Sequence, residues 1–123
     1  MKTLTPPWKD GSKEALSAVK GQVIDVNNKY GFVVVNLGKN TLVEQKIGNS
    51  LNRVNPEIRK DSDMVVARGL DSDHGKFIGR IKLVKVNENC AIANVVPGSL
   101  NGRRINVGDS VYFSNETIAK IGK

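Results

Sequence analysis

A tripeptide of two aspartates around a serine occurs twice in the chain, as Asp61-Ser62-Asp63 and as Asp71-Ser72-Asp73. Two carboxylates held about 3 Å apart can share a proton, so that one acts as an acid and the other as a base on a water molecule. This is the chemistry of aspartic peptidases, and a chain of this length could supply half of such a site in a homodimer. Those enzymes place a glycine where Asp63 and Asp73 stand here. The alternative interpretation is that both tripeptides are solvated turns that flank a strand over Met64–Arg68. The candidate catalytic residues are Asp61, Asp63, Asp71 and Asp73.

Other reactive residue types are too few for a metal centre or a nucleophilic site. The chain has one cysteine, Cys90, and one histidine, His74, which excludes multi-cysteine and two-histidine metal motifs. The stretch Asp71–Gly75 alternates oxygen ligands like a calcium loop, but Lys82 stands where such a loop carries its bidentate glutamate. Cys90 precedes an apolar strand, and we expect it to be a buried structural thiol. Phosphate-binding glycine loops and a Gly-x-Ser-x-Gly elbow are absent from the sequence. We therefore expect no metal and no cofactor.

The charge of the chain points to an acidic partner. Lys and Arg number 19 against 12 Asp and Glu, a formal net charge of +7. Such a charge favours encounter with acidic proteins, acidic glycans, nucleic acid or anionic lipid headgroups, although scattered cations also serve solubility. Arg80 and Lys82 alternate with Ile81 and Leu83, so the two cations share the solvent face of a strand. The candidate polyanion-binding residues are Arg80, Lys82, Lys85, Arg103 and Arg104.

DNA or RNA is a narrower alternative, because a nucleic-acid-binding barrel needs stacking aromatic residues beside its cations. Aromatic residues make up only 5% of the chain. Tyr30 and Phe32 would fit this role if their strand neighboured the one that carries Arg80 and Lys82. Phe32 is expected in the core, which leaves a small basic stripe whose binding to phosphates would weaken steeply with salt.

The elements that must position these residues are mostly strands. The stretch Gly21–Val26, a polar turn and the apolar run Tyr30–Leu37 predict a hairpin whose second strand is buried on both faces. A similar unit follows about 58 residues later, over Gly79–Val86 and Cys90–Val96. We therefore predict a mostly β protein: a small antiparallel β-barrel built from two similar hairpins. A β-bulge is expected at Leu83-Val84, where the inward parity of the strand changes.

The remaining segments frame this barrel. We predict an N-terminal arm and short helix over residues 1–20, the barrel over 21–113 and a polar tail over 114–123. In the arm, Trp8 is expected to plug the barrel, and Ser12 to cap a helix over Lys13–Lys20. Apolar residues recur with helical spacing over Leu42–Ile58, but Gly48-Asn49-Ser50 interrupts them, which predicts a loop with one or two helical turns or an irregular strand. Asn101-Gly102 predicts a tight turn with positive φ at both residues.

Three stretches resemble small β-barrel modules of bacteria: GQVIDVNNKYGFVVVNLG, FIGRIKLVKVNENCAIANVVPGS and INVGDSVYF. They are similar to the C-terminal barrel of the flagellar assembly protein T family and to the barrels of rod-shape-determining envelope proteins. The resemblance spans Gly21 to about Phe113. It is interrupted over Thr41–Asn52, where those families show a Gly-Val-x-x-Gly-Asp turn. It implies a noncatalytic binding or assembly module of the cell envelope, and it transfers no catalytic residue.

The sequence shows neither a membrane-spanning run nor a signal peptide at its start. No run approaches the ~18 apolar residues of a membrane span, and the first residues lack the apolar core of a signal peptide. We expect no transmembrane segment. The protein would be periplasmic or secreted if a leader has been removed from this sequence, and otherwise cytoplasmic.

Overall fold

A closed barrel of six antiparallel strands forms the body of the protein, which confirms the predicted fold class. The computed structural model describes residues 13–69 and 75–121. In chain order the elements are α1 (Lys13–Ser17), β1 (Lys20–Asn27), β2 (Phe32–Val35), β3 (Val43–Ile47), β4 (Ser50–Val54), β5 (Asp63–Arg68), β6 (Lys76–Val86), β7 (Ala91–Val95), β8 (Ser110–Phe113) and α2 (Asn115–Ile121). Around the barrel the order is β1-β2-β7-β6-β5-β8, while β3 and β4 form a separate two-stranded sheet.

The inner face of each barrel strand supplies the core. In β2, Val33 and Val35 are buried, whereas Phe32 and Val34 are half-buried on the outer face. The predictions that this run is buried on both faces and that Phe32 lies in the core are therefore wrong, because a small barrel encloses only its inward-facing side chains. The buried side chains that fill the barrel include Val23, Val33, Val35, Met64, Val66, Ile81, Leu83, Ala91, Ala93 and Val111.

The two predicted hairpins, β1–β2 and β6–β7, repeat the same irregularity. The register of β1 against β2 shifts between Val23 and Asp25, and that of β6 against β7 shifts between Leu83 and Lys85. The bulge predicted at Leu83-Val84 is confirmed. Each bulge adds one residue to the first strand of its hairpin and bends it, which a small closed barrel requires.

The hairpins are related by an internal pseudo-twofold axis. Val34 of β2 pairs with its equivalent Ile92 of β7. On the opposite side of the barrel, Val65 of β5 pairs with its equivalent Tyr112 of β8. Because equivalent residues pair with each other at both places, the axis passes through both pairs. It runs across the antiparallel barrel and exchanges the two ends of the barrel.

We name the two ends by what they carry. The loop end carries the β1–β2 turn (28–31), the last residue of β5 paired with the first residue of β6, and the β7–β8 connection (96–109). The helix end carries α1, α2, the β6–β7 turn (87–90) and segment 36–62, which contains β3 and β4. The pseudo-twofold therefore matches segment 36–62 with the much shorter connection 96–109.

The segment predicted as a loop with one or two helical turns, or as an irregular strand, is a β-hairpin of β3 and β4. Gly48 and Asn49 form the turn between β3 and β4, with Gly48 at a φ of +60°. At the other end of the hairpin, Val43 pairs with Val54, and both are buried against the barrel. The helical spacing over Leu42–Ile58 was misleading, because the buried positions lie on two paired strands and not on one helix face.

The terminal helices differ from the prediction in length and place. Helix α1 ends at Ser17, three residues before the predicted end, and Trp8 and Ser12 lie outside the described residues. The predicted polar tail contains α2, whose Thr117 is buried and accepts a 3.2 Å hydrogen bond from the backbone N–H of Asp63. This bond fixes the tail to the start of β5.

Replacement of Gly38 by Ala should destabilise the barrel more than replacement of Gly21. A Cβ at Gly38 would lie 2.5 Å from the carbonyl oxygen of Asn87 and 2.6 Å from that of Glu88. A Cβ at Gly21 would meet only side-chain atoms of Leu37, the nearest at 2.5 Å. We expect Gly38→Ala to cost about 2–3 kcal/mol in urea unfolding, because backbone carbonyls move less easily than a leucine side chain. Equal costs for the two variants would contradict this account.

Candidate functional site

The loop end presents Arg103 and Arg104 on a tight turn. Asn101 and Gly102 have φ values of 50° and 81°, so the predicted positive φ is confirmed at both positions. The turn does not join two adjacent paired strands; it lies within the β7–β8 connection, where the Arg103 N–H donates to Leu100 O at 2.9 Å. Both arginines are exposed.

The β7–β8 connection is held against β6. The Ser99 hydroxyl accepts a 3.1 Å hydrogen bond from the Arg80 N–H and donates one of 2.7 Å to Val96 O. Leu100 packs directly over Gly79, where a Cβ would come within 2.5 Å of a Leu100 methyl carbon. A glycine is therefore needed at Gly79 for this connection to lie close to the barrel.

A two-point contact between Arg68 and Asp109 fixes the rest of the connection. Arg68 donates from Nε to Asp109 Oδ1 at 2.7 Å and from Nη2 to Oδ2 at 2.9 Å. Asp109 is only 4% exposed, and the Asn106 N–H also donates to its Oδ2. The hydrogen bonds from Arg68 to the Asp109 carboxylate raise the pKa of Arg68 above its already high ordinary value, so its guanidinium stays charged. Arg68 Nη2 also donates to Arg104 O at 3.1 Å, which positions the backbone of Arg104.

A cleft of about 140 Å³ opens at the loop end beside these arginines. Its polar rim is formed by Asn27, Asn28 and Arg104. Asn27 Oδ1 accepts a hydrogen bond from the Tyr30 N–H, which fixes the β1–β2 turn at the edge of the cleft. The apolar lining comes from Val26, Phe32, Val33, Val95, Leu100 and Ile105, with Gly31 completing the wall.

The predicted polyanion-binding residues divide into two groups. Arg103 and Arg104 lie together at the loop end, whereas Arg80, Lys82 and Lys85 follow β6 along the side of the barrel toward the helix end. Arg80 is half-buried and its Nη2 lies 3.3 Å from Glu116 Oε2 of α2.

The other two predicted binding residues of β6, Lys82 and Lys85, are exposed, and Lys82 alternates with the buried Ile81 and Leu83 as the sequence predicts. Lys82 pairs across the sheet with Asp63 on one side and Asn94 on the other. Lys85 lies opposite Ile92. Both therefore stand among acidic, amide or apolar neighbours on the outside of the barrel, away from Arg103 and Arg104.

Asp61 and Asp63 lie at the helix end, at the start of β5. Asp61 is exposed, has a φ of 69° and donates its N–H to Leu83 O at 2.8 Å. Gly108, with a φ of 96°, donates its N–H to Val23 O at 2.8 Å at the equivalent place. Asp61 therefore occupies a left-handed turn position that the other half of the chain fills with glycine. Asp63 follows as the first residue of β5 and pairs with Lys82.

Asp71 and Asp73 lie outside the described residues. The strand residues that flank their loop, Arg68 and Lys76, pair with each other at the loop end. Arg68 is separated from Asp63 by the length of β5, about 17 Å at the usual rise per residue. The described part of the chain thus places Asp61 and Asp63 at the opposite end of β5 from Arg68 and Lys76.

The remaining candidates contribute little to a site. Cys90 is half-buried, with the Asn87 side-chain amide 3.8 Å from its sulfur, and His74 lies outside the described residues. Tyr30 lies in a turn, and the strand of Phe32 does not neighbour β6, because β7 pairs between them. Within residues 13–69 and 75–121, no three His, Cys, Asp or Glu side chains are grouped to hold a metal. None of the helices over the same ranges has the length and apolarity needed to cross a membrane.

Comparisons with protein-family models, curated proteins and solved structures gave no match. The resemblance to flagellar assembly and rod-shape-determining barrels accordingly stays a prediction. The site must be understood from its own residues.

Sequence reasoning missed the residues that organise the loop end. Arg68 and Asp109 are far apart in the sequence, and nothing local to either predicts their contact. Asp109 carried a partial signal, because an aspartate after Gly108 is expected to bond backbone N–H groups. No sequence pattern predicted the cleft, because its walls come from two distant segments, the β1–β2 turn and the β7–β8 connection.

Replacement of Arg68 by Met should destabilise the protein by about 2–4 kcal/mol, because it leaves the buried Asp109 carboxylate without its charged partner. Arg53→Met is the matched control. Arg53 is 73% exposed and its Nε lies 3.9 Å from Glu44, so its loss should cost less than about 0.5 kcal/mol. Urea unfolding of both variants measures the difference. Similar values for the two would show that the Arg68 contact does not hold the loop end.

Asp61 should tolerate glycine but not alanine. At a positive φ, Asp61→Ala is expected to cost about 1 kcal/mol, whereas Asp61→Gly should stay within about 0.5 kcal/mol of the parent. Urea unfolding of the two variants tests whether the turn conformation is what Asp61 provides. A larger loss with Gly than with Ala would indicate that the carboxylate has another role.

Proposed function

We propose that this protein is a noncatalytic binding module that holds an acidic partner at the loop end of its barrel. The observation that carries the proposal is a difference in charge between the described residues of the two ends. Within residues 13–69 and 75–121, exposed cations at the loop end include Lys29, Lys76, Arg103 and Arg104, and the carboxylate of Asp109 is buried against Arg68. At the helix end, cations and carboxylates are interspersed: Lys39, Arg53, Arg59 and Lys60 with Glu44, Glu57, Asp61 and Glu88.

Residues related by the pseudo-twofold axis give a direct example of this difference in charge. Ile58 and Ile105 are both 5% exposed and stand three residues before the equivalent turn positions Asp61 and Gly108. Glu57 precedes Ile58 at the helix end, and Arg104 precedes Ile105 at the loop end. One backbone position thus carries opposite charges at the two ends, and the loop end attracts anions.

A noncatalytic role is supported by the arrangement of the described carboxylates. Asp61 is exposed in a turn, Asp63 pairs across strands with Lys82, and Asp109 is engaged by Arg68. Asp109 lies at the opposite end of the barrel from Asp61 and Asp63, so it cannot share a proton with either of them, as acid–base chemistry by a carboxylate pair would require. The resemblance to flagellar and rod-shape barrels supports an assembly role in the cell envelope, which is part of the proposal.

Charge reversal at the two ends tests the proposal. Fluorescently labelled poly-glutamate, heparin and single-stranded DNA serve as probes, and their binding is measured by anisotropy at low and high salt. We expect salt-sensitive binding of at least one probe, weakened about tenfold or more by Arg103→Glu with Arg104→Glu.

The matched control is Arg59→Glu with Lys60→Glu, which changes the total charge by the same amount at the helix end. Arg59 pairs with Glu57 at 3.0 Å on an exposed surface, so its loss should not unfold the chain. We expect binding within about twofold of the parent, because the altered charges lie beyond the range of strong interaction with the loop end. Equal weakening by both pairs would show that only net charge matters. Absence of salt-sensitive binding to any probe would overturn the proposal.

A further inference from the structure

We propose that the cleft at the loop end receives one apolar side chain of an acidic peptide segment, so that the partner is recognised by an apolar anchor flanked by carboxylates. This inference rests on the proposed function and gives it a chemical class of ligand. It follows from the size of the cleft, the chemistry of its lining and the charges at its rim.

The size of the cleft suits a single side chain. Its volume is about 140 Å³, and an apolar protein cavity of about 150 Å³ is known to take up one benzene molecule. A leucine or phenylalanine side chain is of this order, whereas a folded surface or a helix would need a longer groove. The cleft is thus an anchor pocket within a larger interface.

The chemistry of the lining favours an apolar group over a nucleobase. Val95, Leu100 and Ile105 line the cleft from β7 and the β7–β8 connection, and Val26 and Val33 line it from the β1–β2 hairpin. The polar edges of a base would lose their hydrogen bonds to water against these walls, which costs free energy unless partners replace them. An aliphatic or aromatic side chain of a peptide meets no such cost.

The barrel has two openings, or mouths, one at each end, and the pseudo-twofold relates them. The cleft exists because the chain covers these two mouths to different extents. At the helix end, the mouth is closed by the long segment 36–62, whose Leu37, Val43, Val54 and Ile58 are all buried. The pseudo-twofold relates Leu37 to Val95. Val35 of β2 and Ala93 of β7 are equivalent, because each pairs with the residue that precedes the bulge of its hairpin. Leu37 and Val95 each lie two residues further along the chain. The connection 96–109 at the loop end is too short to insert a comparable hairpin. It covers its mouth with Leu100 and Ile105 and leaves the cleft.

The cations at the rim of the cleft favour a ligand whose residues on either side of the apolar anchor are acidic. Arg104 lines the cleft and Arg103 precedes it, and no carboxylate in 13–69 or 75–121 pairs with either side chain. Lys29 follows Asn28 of the rim, with its Nζ 5.3 Å from the ring centre of Tyr30. Because Arg68 holds the carbonyl of Arg104, the backbone at the rim is ordered before a ligand arrives, which lowers the entropic cost of binding.

Three probes of similar charge test the inference on the unmodified protein: a labelled peptide of Asp and Glu around one central Leu, the same peptide with Ser for Leu, and a single-stranded DNA oligonucleotide. Binding is measured by fluorescence anisotropy at low and high salt. We expect the Leu peptide to bind about tenfold more tightly than the Ser peptide, since burial of a leucine side chain contributes that much. We expect this ratio to persist at high salt, where the charged contribution is screened.

A variant that covers the cleft tests whether the preference for the Leu peptide arises there. Asn28 is exposed at the rim, so Asn28→Trp should cover the opening without disturbing the core. We expect this variant to lose the preference for Leu and to keep its salt-sensitive binding of both peptides. Asn40→Trp, at an exposed turn of the helix end, is the matched control and should behave as the parent.

The outcomes separate the two proposals. Equal binding of the Leu and Ser peptides, or binding of DNA more tightly than of the Leu peptide, would overturn the anchor pocket and leave the basic loop end standing. A preference for Leu that Asn28→Trp does not remove would place the apolar contact elsewhere and also overturn it. Binding of both peptides that does not respond to salt would overturn the proposed function itself.

Discussion

Asp109 ties three strands together where the barrel closes. It precedes β8, which has only four residues but must pair with β1 on one side and with β5 on the other. The backbone oxygen of Asp109 accepts the Val23 N–H of β1, and its buried carboxylate takes two hydrogen bonds from Arg68 at the end of β5. A closed sheet has no free edge, but a closing strand this short has few ladder bonds of its own. The charged contact supplies the missing constraint.

The same contact connects closure of the barrel to the proposed binding surface. Arg68 uses a third hydrogen bond to hold the carbonyl of Arg104, which is one of the residues that line the cleft. Arg68, which pairs with the buried Asp109 carboxylate, is thus structural, and the arginine it positions is available to a ligand. A site built this way lies on a connection but inherits the rigidity of the strands on either side.

The sequence predicts those features that depend on local pattern and misses those that depend on distant contacts. The two hairpins, the bulge at Leu83 and the positive φ of Asn101 and Gly102 follow from alternation and turn chemistry. The β3–β4 hairpin was predicted only as a loop with helical turns or an irregular strand, because Val43 and Val54 face the barrel from two strands at a spacing that also suits a helix. For the site, exposure of Arg103 and Arg104 was predictable. The partnership of Arg80 with Glu116 was not, because it depends on where α2 docks.

The pseudo-twofold explains why one end of the barrel is available for binding. A barrel of two equivalent halves has two equivalent mouths, and each must be covered to keep water from the core. The first half does so with a hairpin and a set of buried apolar residues, and its turn uses Asp61 where the second half uses Gly108. The second half uses a short connection anchored by Ser99, Leu100 and the Arg68 contact. Because hydrogen bonds and an ion pair hold this connection, fewer apolar side chains are needed to keep it in place, and part of its mouth stays open to a ligand.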